Sequence, residues 1–440
     1  MKLLPPEEKI TLYETGFDNN TLDRVKFADQ LSGLINKTTV PFVIALDGKW
    51  GTGKSYFLKR WVKHHSKEAT TVYFDAFESD YLSEPLISIT SAVSDRIPEE
   101  ASEKWKQHAY NIGKPALGIL ANLATLGAKE LVGELTGAVI DVVKEPLINA
   151  SDKFWAAEDA RKNSMTEFKN TLSKLANDKP LIIVVDELDR CRPDYALSVL
   201  EVVKHFFSVP NVHFILGVNL IALENSVKAR YGAGIDANNY LKKFINIKTS
   251  LPEKIGTRGV VNIIEKYFGD LSSNMELNED FIEKCKDVIL VAQSRNDISL
   301  RDIQKICTKI ALTPKPSSER RHYTYSYAAS ILIVASVIDE KFHRNLIDKR
   351  VDAKQILEFL GMKESDTFIN ENGKSTSEFN HTTEIMYAIL CHCCFGYGCE
   401  ELNICAKHFH DLTEGSFYDK IDHKWMLEIQ RKFVDVFKAI

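Results

Sequence analysis

The stretch "FVIALDGKWGTGKSYFL", residues 42–58, decides the fold of this chain. Within it, residues 48–55 read G-K-W-G-T-G-K-S and fit the pattern G-x-x-x-x-G-K-[S/T]. A β-branched apolar run precedes this segment, as expected for a buried parallel strand. Phe57, Leu58 and Trp61 follow at the spacing of one helix face. The order strand, glycine-rich loop and helix predicts a loop that binds phosphate groups.

The residue types of this loop suit a nucleoside triphosphate. Glycines let the backbone curl so that successive N–H groups face phosphate oxygens, and the following helix adds its positive dipole end. Lys54 is expected to reach the β- and γ-phosphates, and Ser55 to offer its hydroxyl to Mg²⁺. The alternative is a glycine-rich turn that exposes a lysine. The predicted nucleotide-binding residues are the loop and the start of its helix: Gly48, Lys49, Trp50, Gly51, Thr52, Gly53, Lys54, Ser55 and Tyr56.

A second apolar run, Leu181–Val185, ends in two carboxylates, Asp186 and Glu187. In open α/β sheets, ligands bind at the carboxyl ends of the strands. Asp186 is therefore predicted to contact Mg²⁺, and Glu187 to activate the attacking water as a general base. The alternative is that both acids cap a helix that starts near Arg192–Pro193.

Two further polar residues are predicted to take part in the reaction. Arg190 could reach a phosphate as an arginine finger does, or it could form a structural pair with Asp189, and the sequence leaves both open. Asn219 ends the apolar run 212–219, where its side chain could orient the water or touch the γ-phosphate.

Further apolar runs at 71–77 and 244–251 alternate with helical segments, which predicts a parallel sheet. The predicted fold is therefore an α/β, three-layer P-loop NTPase domain with a central parallel sheet. A second acid after the metal-binding aspartate places it with the AAA+-like ATPases. ATP is favoured over GTP, because the one near match to a guanine-reading Asn-Lys-x-Asp segment, residues 36–39, lacks the acid and precedes the loop.

Composition narrows the function classes. The 440 residues carry a formal net charge of −5, which gives no global reason to expect a nucleic-acid partner. No run reaches the roughly 18 apolar residues of a membrane-spanning helix, and the N-terminus does not resemble a signal peptide. Eight cysteines in a chain of this length favour a reducing, cytoplasmic location over a disulfide framework.

The chain is long enough for several domains. We predict an N-terminal part of the NTPase domain (1–94), a helical insertion (95–165), the remainder of the NTPase core (166–252), a helical lid (253–312) and a mostly helical C-terminal domain (313–440). The apolar runs of the insertion are short and interrupted by charge. They favour a helical hairpin packed on protein, with peripheral membrane contact as the alternative and no transmembrane helix.

Cys391 and Cys394 have the C-x-x-C spacing of a zinc site, within a cluster that continues to Cys405. They also lie in an apolar helical run, which favours core packing over Zn²⁺ binding. The histidines His64, His65 and His205 are interpreted as solvated or structural, and the basic pairs Lys59-Arg60 and Lys242-Lys243 as solvated helix faces.

Taken together, these motifs resemble the KAP family of P-loop NTPases, of the AAA+/STAND-like division. Its members include plasmid phage-exclusion proteins and animal neuronal membrane scaffolds. The segments that carry the resemblance are Leu22–Leu31, Val43–Leu58, Val72–Phe77, Ile182–Cys191, Tyr240–Pro252 and Ser299–Ile306. Glu187 stands where the family has a second aspartate, Asp75 and Phe77 where it has Asn and Trp, and Leu300 where it has proline.

The resemblance implies ATP hydrolysis that drives a conformational change, often in phage defence. It also implies that Arg301 is a sensor-like residue on the lid. The leading hypothesis is therefore an ATPase switch that acts with a homo-oligomer or an effector protein. The alternatives are a nucleic-acid-dependent motor or clamp, and a nucleotide-dependent scaffold that does not hydrolyse ATP.

Overall fold

The computed structural model describes most of the chain, in two compact units. The described residues are 2–6, 8–17, 22, 24–81, 85–96, 166, 169–177, 179–205, 208–255, 261–314, 323–362, 381–395 and 422–435. One unit comprises Ile10–Pro252, and the other Met1–Lys9 with Glu253–Ile440. The predicted insertion lies outside the described residues beyond position 96, and the bounds of the five predicted domains stay predictions.

A parallel five-stranded sheet forms the centre of the unit Ile10–Pro252. Its strands are β1 (Val43–Asp47), β2 (Thr70–Asp75), β3 (Leu181–Asp186), β4 (Val212–Val218) and β5 (Ile247–Ser250), in the order β2-β3-β4-β1-β5. Every pair is parallel, so all five carboxyl ends lie at one edge. The order places β4 between the strand before the glycine-rich loop and the strand that ends in the acid pair. The predicted parallel sheet is confirmed.

Helices cover both faces of this sheet, and each face has its own apolar core. Alternate residues of β1 point to opposite sides, as the pleat of a strand requires. Ile44 and Leu46 pack with helices α1 (Val25–Ile35) and α2 (Lys54–His65). Val43 and Ala45 belong to the core that contains residues of helices α3 (Pro85–Ser94), α4 (Pro193–His205) and α5 (Leu220–Tyr231). The three-layer α/β architecture is therefore confirmed, and a short helix α6 (Ala237–Leu241) precedes β5.

The other unit is mostly helical in its described residues. A two-stranded antiparallel ribbon, β6 (Lys254–Ile255) and β7 (Val261–Asn262), precedes the helices. These are α7 (Ile263–Asn274), α8 (Glu279–Ala292), α9 (Leu300–Leu312), α10 (Tyr323–Ile338), α11 (Glu340–Ile347), α12 (Ala353–Phe359), α13 (His381–Phe395) and α14 (His423–Ile429). No helix within the described ranges is both long and apolar enough to cross a membrane.

One sequence interpretation is wrong at Arg60, which is only 1% exposed and is no part of a solvated basic face. Its guanidinium lies 4.6 Å from the centroid of the Tyr56 ring and donates to the carbonyl oxygen of Gly16. Helical spacing places Arg60 on α2 but does not show that the N-terminal segment covers it. His65 is a structural histidine, since it is fully buried and stacks on Trp61 at 4.8 Å.

Cys391 and Cys394 are buried within α13 and pack as core residues. Burial raises the pKa of the Cys394 thiol to about 12, which disfavours the thiolate that zinc binding requires. Across the described part of the chain, no group of three or more His, Cys, Asp or Glu side chains is arranged to hold a metal ion. Cys393 is buried in the same helix, and the other two cysteines of the cluster, Cys399 and Cys405, lie outside the described residues.

Candidate nucleotide-binding site

The glycine-rich loop joins β1 to α2 at the carboxyl edge of the sheet. The backbone N–H of Gly48 donates to the carbonyl of Val218 at 3.1 Å, which ties the start of the loop to the end of β4. Gly51 and Gly53 have φ angles of 83° and 86°, in the left-handed region that glycine adopts without strain. Gly53 is also the N-cap of α2, so the loop delivers the chain directly into the helix N-terminus. This is the geometry that the sequence predicted for a phosphate-binding loop.

Lys54 is the first residue of α2, and its side chain returns to the loop. Its ammonium donates to the carbonyl oxygens of Gly48 and Lys49, the latter at 3.1 Å. Burial lowers the pKa of Lys54, while the nearby carboxylates of Asp189, Asp186 and Asp47 act in the opposite direction. The ammonium therefore lies among loop carbonyls and carboxylates. It places a positive charge next to the predicted phosphate site.

Asp186 is the last residue of β3 and is 1% exposed. Its Oδ2 accepts a hydrogen bond from the Tyr73 hydroxyl at 2.7 Å, and its Oδ1 accepts from the Glu187 backbone N–H at 3.0 Å. Burial raises the pKa of Asp186, and the hydrogen bonds from Tyr73 and from the Glu187 backbone lower it. The carboxylate is thus held in one orientation by donors on both oxygens.

Glu187 adopts a left-handed backbone conformation, with φ 58° and ψ 25°. Its Oε1 accepts from the Ser55 hydroxyl at 3.4 Å and pairs with the Arg190 guanidinium at 3.0 Å. Burial raises the pKa of Glu187, and the charge of Arg190 lowers it. The side chain makes no cap hydrogen bond to the short 3₁₀ helix Leu188–Arg190 that follows it.

Trp50 connects the loop to the segment after β3. Its indole N–H donates to Asp189 Oδ2 at 2.6 Å, while about half of the residue, 51%, stays exposed. Asp189 is thus paired with Trp50, and Arg190 is paired with Glu187. The sequence offered a structural pair between Arg190 and Asp189, but in the structure Arg190 pairs with Glu187 instead.

The structure places the two predicted sensor residues in different settings. Asn219 directly follows β4 at the carboxyl edge, and its side-chain oxygen accepts from the Ala222 N–H at 3.4 Å as the N-cap of α5. Arg301 lies in the first turn of α9, between Ser299 and Asp302, which form a capping box. Helix α9 belongs to the unit that contains Glu253–Ile440. Their catalytic roles stay predictions.

Three residues near the loop and the acid pair were missed by sequence reasoning. Arg24, only 3% exposed, donates to the carbonyls of Thr52 at 3.1 Å and of Gly53 at 3.3 Å. Burial lowers the pKa of Arg24 to about 10. The guanidinium thus holds the carbonyls of two successive loop residues. Since 28 and 29 residues separate the partners, no local pattern reveals this contact.

The other two missed residues are Tyr73, described above, and Gly217. Gly217 lies opposite Asp186 in the pairing of β3 with β4. A Cβ atom at this position would come within 2.3 Å of Asp186 Oδ1 and 2.5 Å of Leu58 Cδ1. Glycine is therefore required where the Asp186 carboxylate crosses the neighbouring strand. The glycine within the apolar run of β4 was the available signal, because glycine inside a strand indicates a close approach.

The side-chain oxygens in this region are suitable ligands for Mg²⁺. They are the Ser55 hydroxyl and the carboxylates of Asp186 and Glu187, within one hydrogen-bonded group. Magnesium in phosphate sites is held through one or two carboxylates together with substrate phosphates, so a closed cage of protein ligands is not needed. The residues present therefore fit the ion, with Ser55 and Asp186 as its expected ligands.

The parallel sheet, the glycine-rich loop at a helix N-terminus and the acid pair on a neighbouring strand together define a P-loop nucleotide-binding protein. The profile of the KAP family P-loop domain matches residues 24–315. The chain belongs to the KAP family, as the motifs predicted, and is a P-loop NTPase of that family.

Solved structures share only weak similarity with the chain. The Aeropyrum pernix ORC2 protein, in ADPNP–ADP complexes, is 16% identical over 98% of this chain and 96% of that one, with a TM-score of 0.34. Cdc6p from Pyrobaculum aerophilum is 13% identical, over 98% and 100%, with a TM-score of 0.39. AMPPCP-bound DnaA from Aquifex aeolicus is 12% identical, over 98% and 99%, with a TM-score of 0.30. These values are too low to bear on function, and no curated protein sequence matches the chain.

Proposed function

We propose that this protein hydrolyses ATP with Mg²⁺ and acts as a conformational switch. The observation that carries the proposal is the position of Glu187, which accepts a hydrogen bond from the Ser55 hydroxyl at 3.4 Å. Ser55 is part of the phosphate-binding loop, so the carboxylate lies beside the place where the γ-phosphate is expected. A general base must lie within hydrogen-bond reach of the water it activates, directly or through one water.

Each residue of the site has a role in this proposal. The loop N–H groups and the N-terminus of α2 bind the phosphates, and the Lys54 ammonium leaves the carbonyls of Gly48 and Lys49 to contact the β- and γ-phosphate oxygens. Mg²⁺, when bound, supplies a positive charge that neutralises the β- and γ-oxygens during phosphoryl transfer. Ser55 and Asp186 are its proposed ligands.

Glu187 must be ionised to accept a proton from water. Burial raises the pKa of Glu187 overall, and its pairing with Arg190 at 3.0 Å opposes this shift and favours the carboxylate. The same pairing occupies Oε1 of Glu187. To accept a proton from the attacking water at this atom, Glu187 has to release the Arg190 guanidinium. Arg190 then becomes available to bind a phosphate oxygen, which is the arginine-finger role that the sequence suggested. Asn219 and Arg301 are proposed as sensors of the γ-phosphate.

The preference for ATP over GTP rests on the sequence, which has no complete Asn-Lys-x-Asp guanine reader. A role in bacterial anti-phage defence or signalling, in the cytoplasm, with a homo-oligomer or an effector protein as partner, is supported by the resemblance to plasmid phage-exclusion members of the family. In this proposal, hydrolysis changes the conformation of the C-terminal domain predicted at 313–440.

The proposal is tested with two substitutions and their matched controls. Lys54→Ala is expected to abolish ATP binding, whereas Lys63→Ala, at an exposed position of the same helix, is expected to bind normally. Glu187→Gln is expected to bind ATP but to hydrolyse it at least about 100-fold more slowly, because general bases contribute roughly 10²–10⁴ in rate. Glu201→Gln, on the exposed side of α4, is the control for this change.

Binding is measured with a fluorescent ATP analogue, and turnover by phosphate release in saturating Mg²⁺ and ATP. Normal ATP affinity in Lys54→Ala would contradict the assignment of the loop. Wild-type turnover in Glu187→Gln would contradict its role as the base. Tight ATP binding by the wild-type protein without phosphate release would favour the scaffold alternative over the ATPase.

A further inference from the structure

Tyr73 lies on β2, the strand next to Asp186 at one end of the sheet order. Its ring belongs to the apolar core that contains Phe57 and Leu58 of α2. The hydroxyl at the end of the ring donates to Asp186 Oδ2 at 2.7 Å. A buried ring therefore places one polar group directly against the residue proposed to hold Mg²⁺.

This hydrogen bond completes the fixation of the Asp186 carboxylate. The other oxygen, Oδ1, accepts from the backbone N–H of Glu187 at 3.0 Å, a donor that any residue except proline would supply at position 187. The contact at Oδ2 instead depends on the side chain at position 73. The planar carboxylate can turn about its own bond while one donor holds it, but two donors on opposite oxygens fix its plane.

Tyr73 and its strand are also held by contacts with Tyr13 and Arg96. Its backbone N–H donates to the hydroxyl of Tyr13 at 2.8 Å. The Tyr13 ring packs against the Arg96 guanidinium, 3.8 Å from the ring centroid, and the Arg96 Nε donates to the Thr71 carbonyl at 3.3 Å. Within the described residues β2 pairs with one strand only, β3, and these contacts supply further hydrogen bonds that hold β2 in position.

We propose that Tyr73 is a positioning residue that orients Asp186 for Mg²⁺ through the hydrogen bond at Oδ2, and that Tyr13 supports it by holding β2. This inference rests on the proposed function, because it assigns Mg²⁺ to Asp186. Partners that orient a metal ligand without touching the metal typically contribute about 10–100-fold to metal affinity or activity. The effect of Tyr73 should therefore appear in the Mg²⁺ requirement more than in the affinity for the nucleotide alone.

The test is Tyr73→Phe, which removes the hydroxyl and keeps the ring in the core. Binding of a fluorescent ATP analogue is measured in EDTA and then titrated with Mg²⁺. We expect affinity in EDTA within about twofold of wild type, and a half-saturating Mg²⁺ concentration raised by about tenfold or more, as for other residues that orient metal ligands. Tyr13→Phe should shift the Mg²⁺ concentration in the same direction by a smaller factor.

Tyr195→Phe is the matched control, because Tyr195 is another buried tyrosine of the same unit, on α4. It should leave the Mg²⁺ titration unchanged. A merely structural role for Tyr73 predicts lower thermal stability with a wild-type Mg²⁺ titration, and this result would overturn the inference. If Tyr73→Phe fails to fold, Tyr13→Phe decides, and an unchanged titration in that variant overturns the inference as well.

Failure of this inference can be told apart from failure of the proposed function. If the wild-type protein shows no Mg²⁺-dependent change in nucleotide binding, Asp186 holds no Mg²⁺ and both proposals fall. If the wild-type protein responds to Mg²⁺ and Tyr73→Phe responds identically, only the role of Tyr73 is rejected.

Discussion

Gly217 offers the sharpest test of the geometry around Asp186. Substitution by alanine adds a single methyl group where β4 passes the Asp186 carboxylate. Its Cβ would lie 2.3 Å from Asp186 Oδ1 and 2.5 Å from Leu58 Cδ1, whereas ordinary van der Waals contacts begin at 3.4 Å. Both neighbours are buried, so the clash requires Asp186, Leu58 or the strand itself to move by about 1 Å, a displacement that a well-packed interior resists.

The magnitude follows from the type of contact. Overpacking a well-packed core by one or more methylene groups typically costs about 1–3 kcal/mol. If the carboxylate rotates to relieve the contact, it also leaves the hydrogen bond at Oδ1, and a buried unsatisfied acceptor costs about a further 1–3 kcal/mol. We therefore expect Gly217→Ala to lower the free energy of unfolding by about 1–3 kcal/mol, or by about 2–6 kcal/mol if the hydrogen bond at Oδ1 is lost as well. The half-saturating Mg²⁺ concentration should rise at the same time, because Asp186 is displaced.

The assay is urea unfolding followed by circular dichroism, together with the Mg²⁺ titration of nucleotide binding. Gly33→Ala is the matched control, because Gly33 lies within α1 and a Cβ there meets no atom within 4 Å. That variant should gain about 0.5–1 kcal/mol, the usual advantage of alanine over glycine in a helix. If Gly217→Ala were as stable as wild type and kept its Mg²⁺ requirement, Asp186 could not occupy the position described above.

Two further predictions concern buried basic side chains. Arg24→Met removes two donors from the loop carbonyls and should weaken ATP binding about tenfold even in EDTA, as expected for charged hydrogen bonds of roughly 1.5–3 kcal/mol. Arg24→Lys should lose less, and unchanged affinity in Arg24→Met would refute this role. His213 is fully buried, and burial lowers its pKa to about 4. The unfolded chain therefore binds the proton first, and stability should fall as the pH drops from about 6.5 towards 4. His213→Leu should reduce this acid-dependent loss in urea unfolding at pH 5 relative to pH 7.5, and an equal loss in both proteins would contradict the prediction.

The sequence was sufficient for the features that are local or periodic. The glycine-rich loop has a fixed spacing, and the acid pair directly follows an apolar run, so β1, β3 and the loop could be predicted together. The parallel sheet followed from the alternation of strands and helices. The family assignment followed from the same motifs, since Trp50 and the segment Ile182–Cys191 are part of its pattern.

The features that escaped prediction depend on contacts between distant parts of the chain. Tyr73 meets Asp186 across 113 positions, and Tyr73 read from sequence is an ordinary strand residue. Arg60 appeared solvated on α2, because helical periodicity does not reveal which segment covers a given face. The role of Arg301 stays a prediction, since it depends on a nucleotide-bound arrangement that no local pattern specifies.

The hydrogen bond between Trp50 and Asp189 has an evolutionary consequence. It joins two segments that lie 139 positions apart in the chain, and each partner satisfies a polar atom of the other. Replacing Trp50 would leave the Asp189 carboxylate, in a residue only 8% exposed, without this donor, whereas replacing Asp189 would leave the half-exposed indole N–H to water. Relatives that replace the tryptophan are therefore expected to replace the aspartate as well, so that the loop and the acid-bearing segment change together.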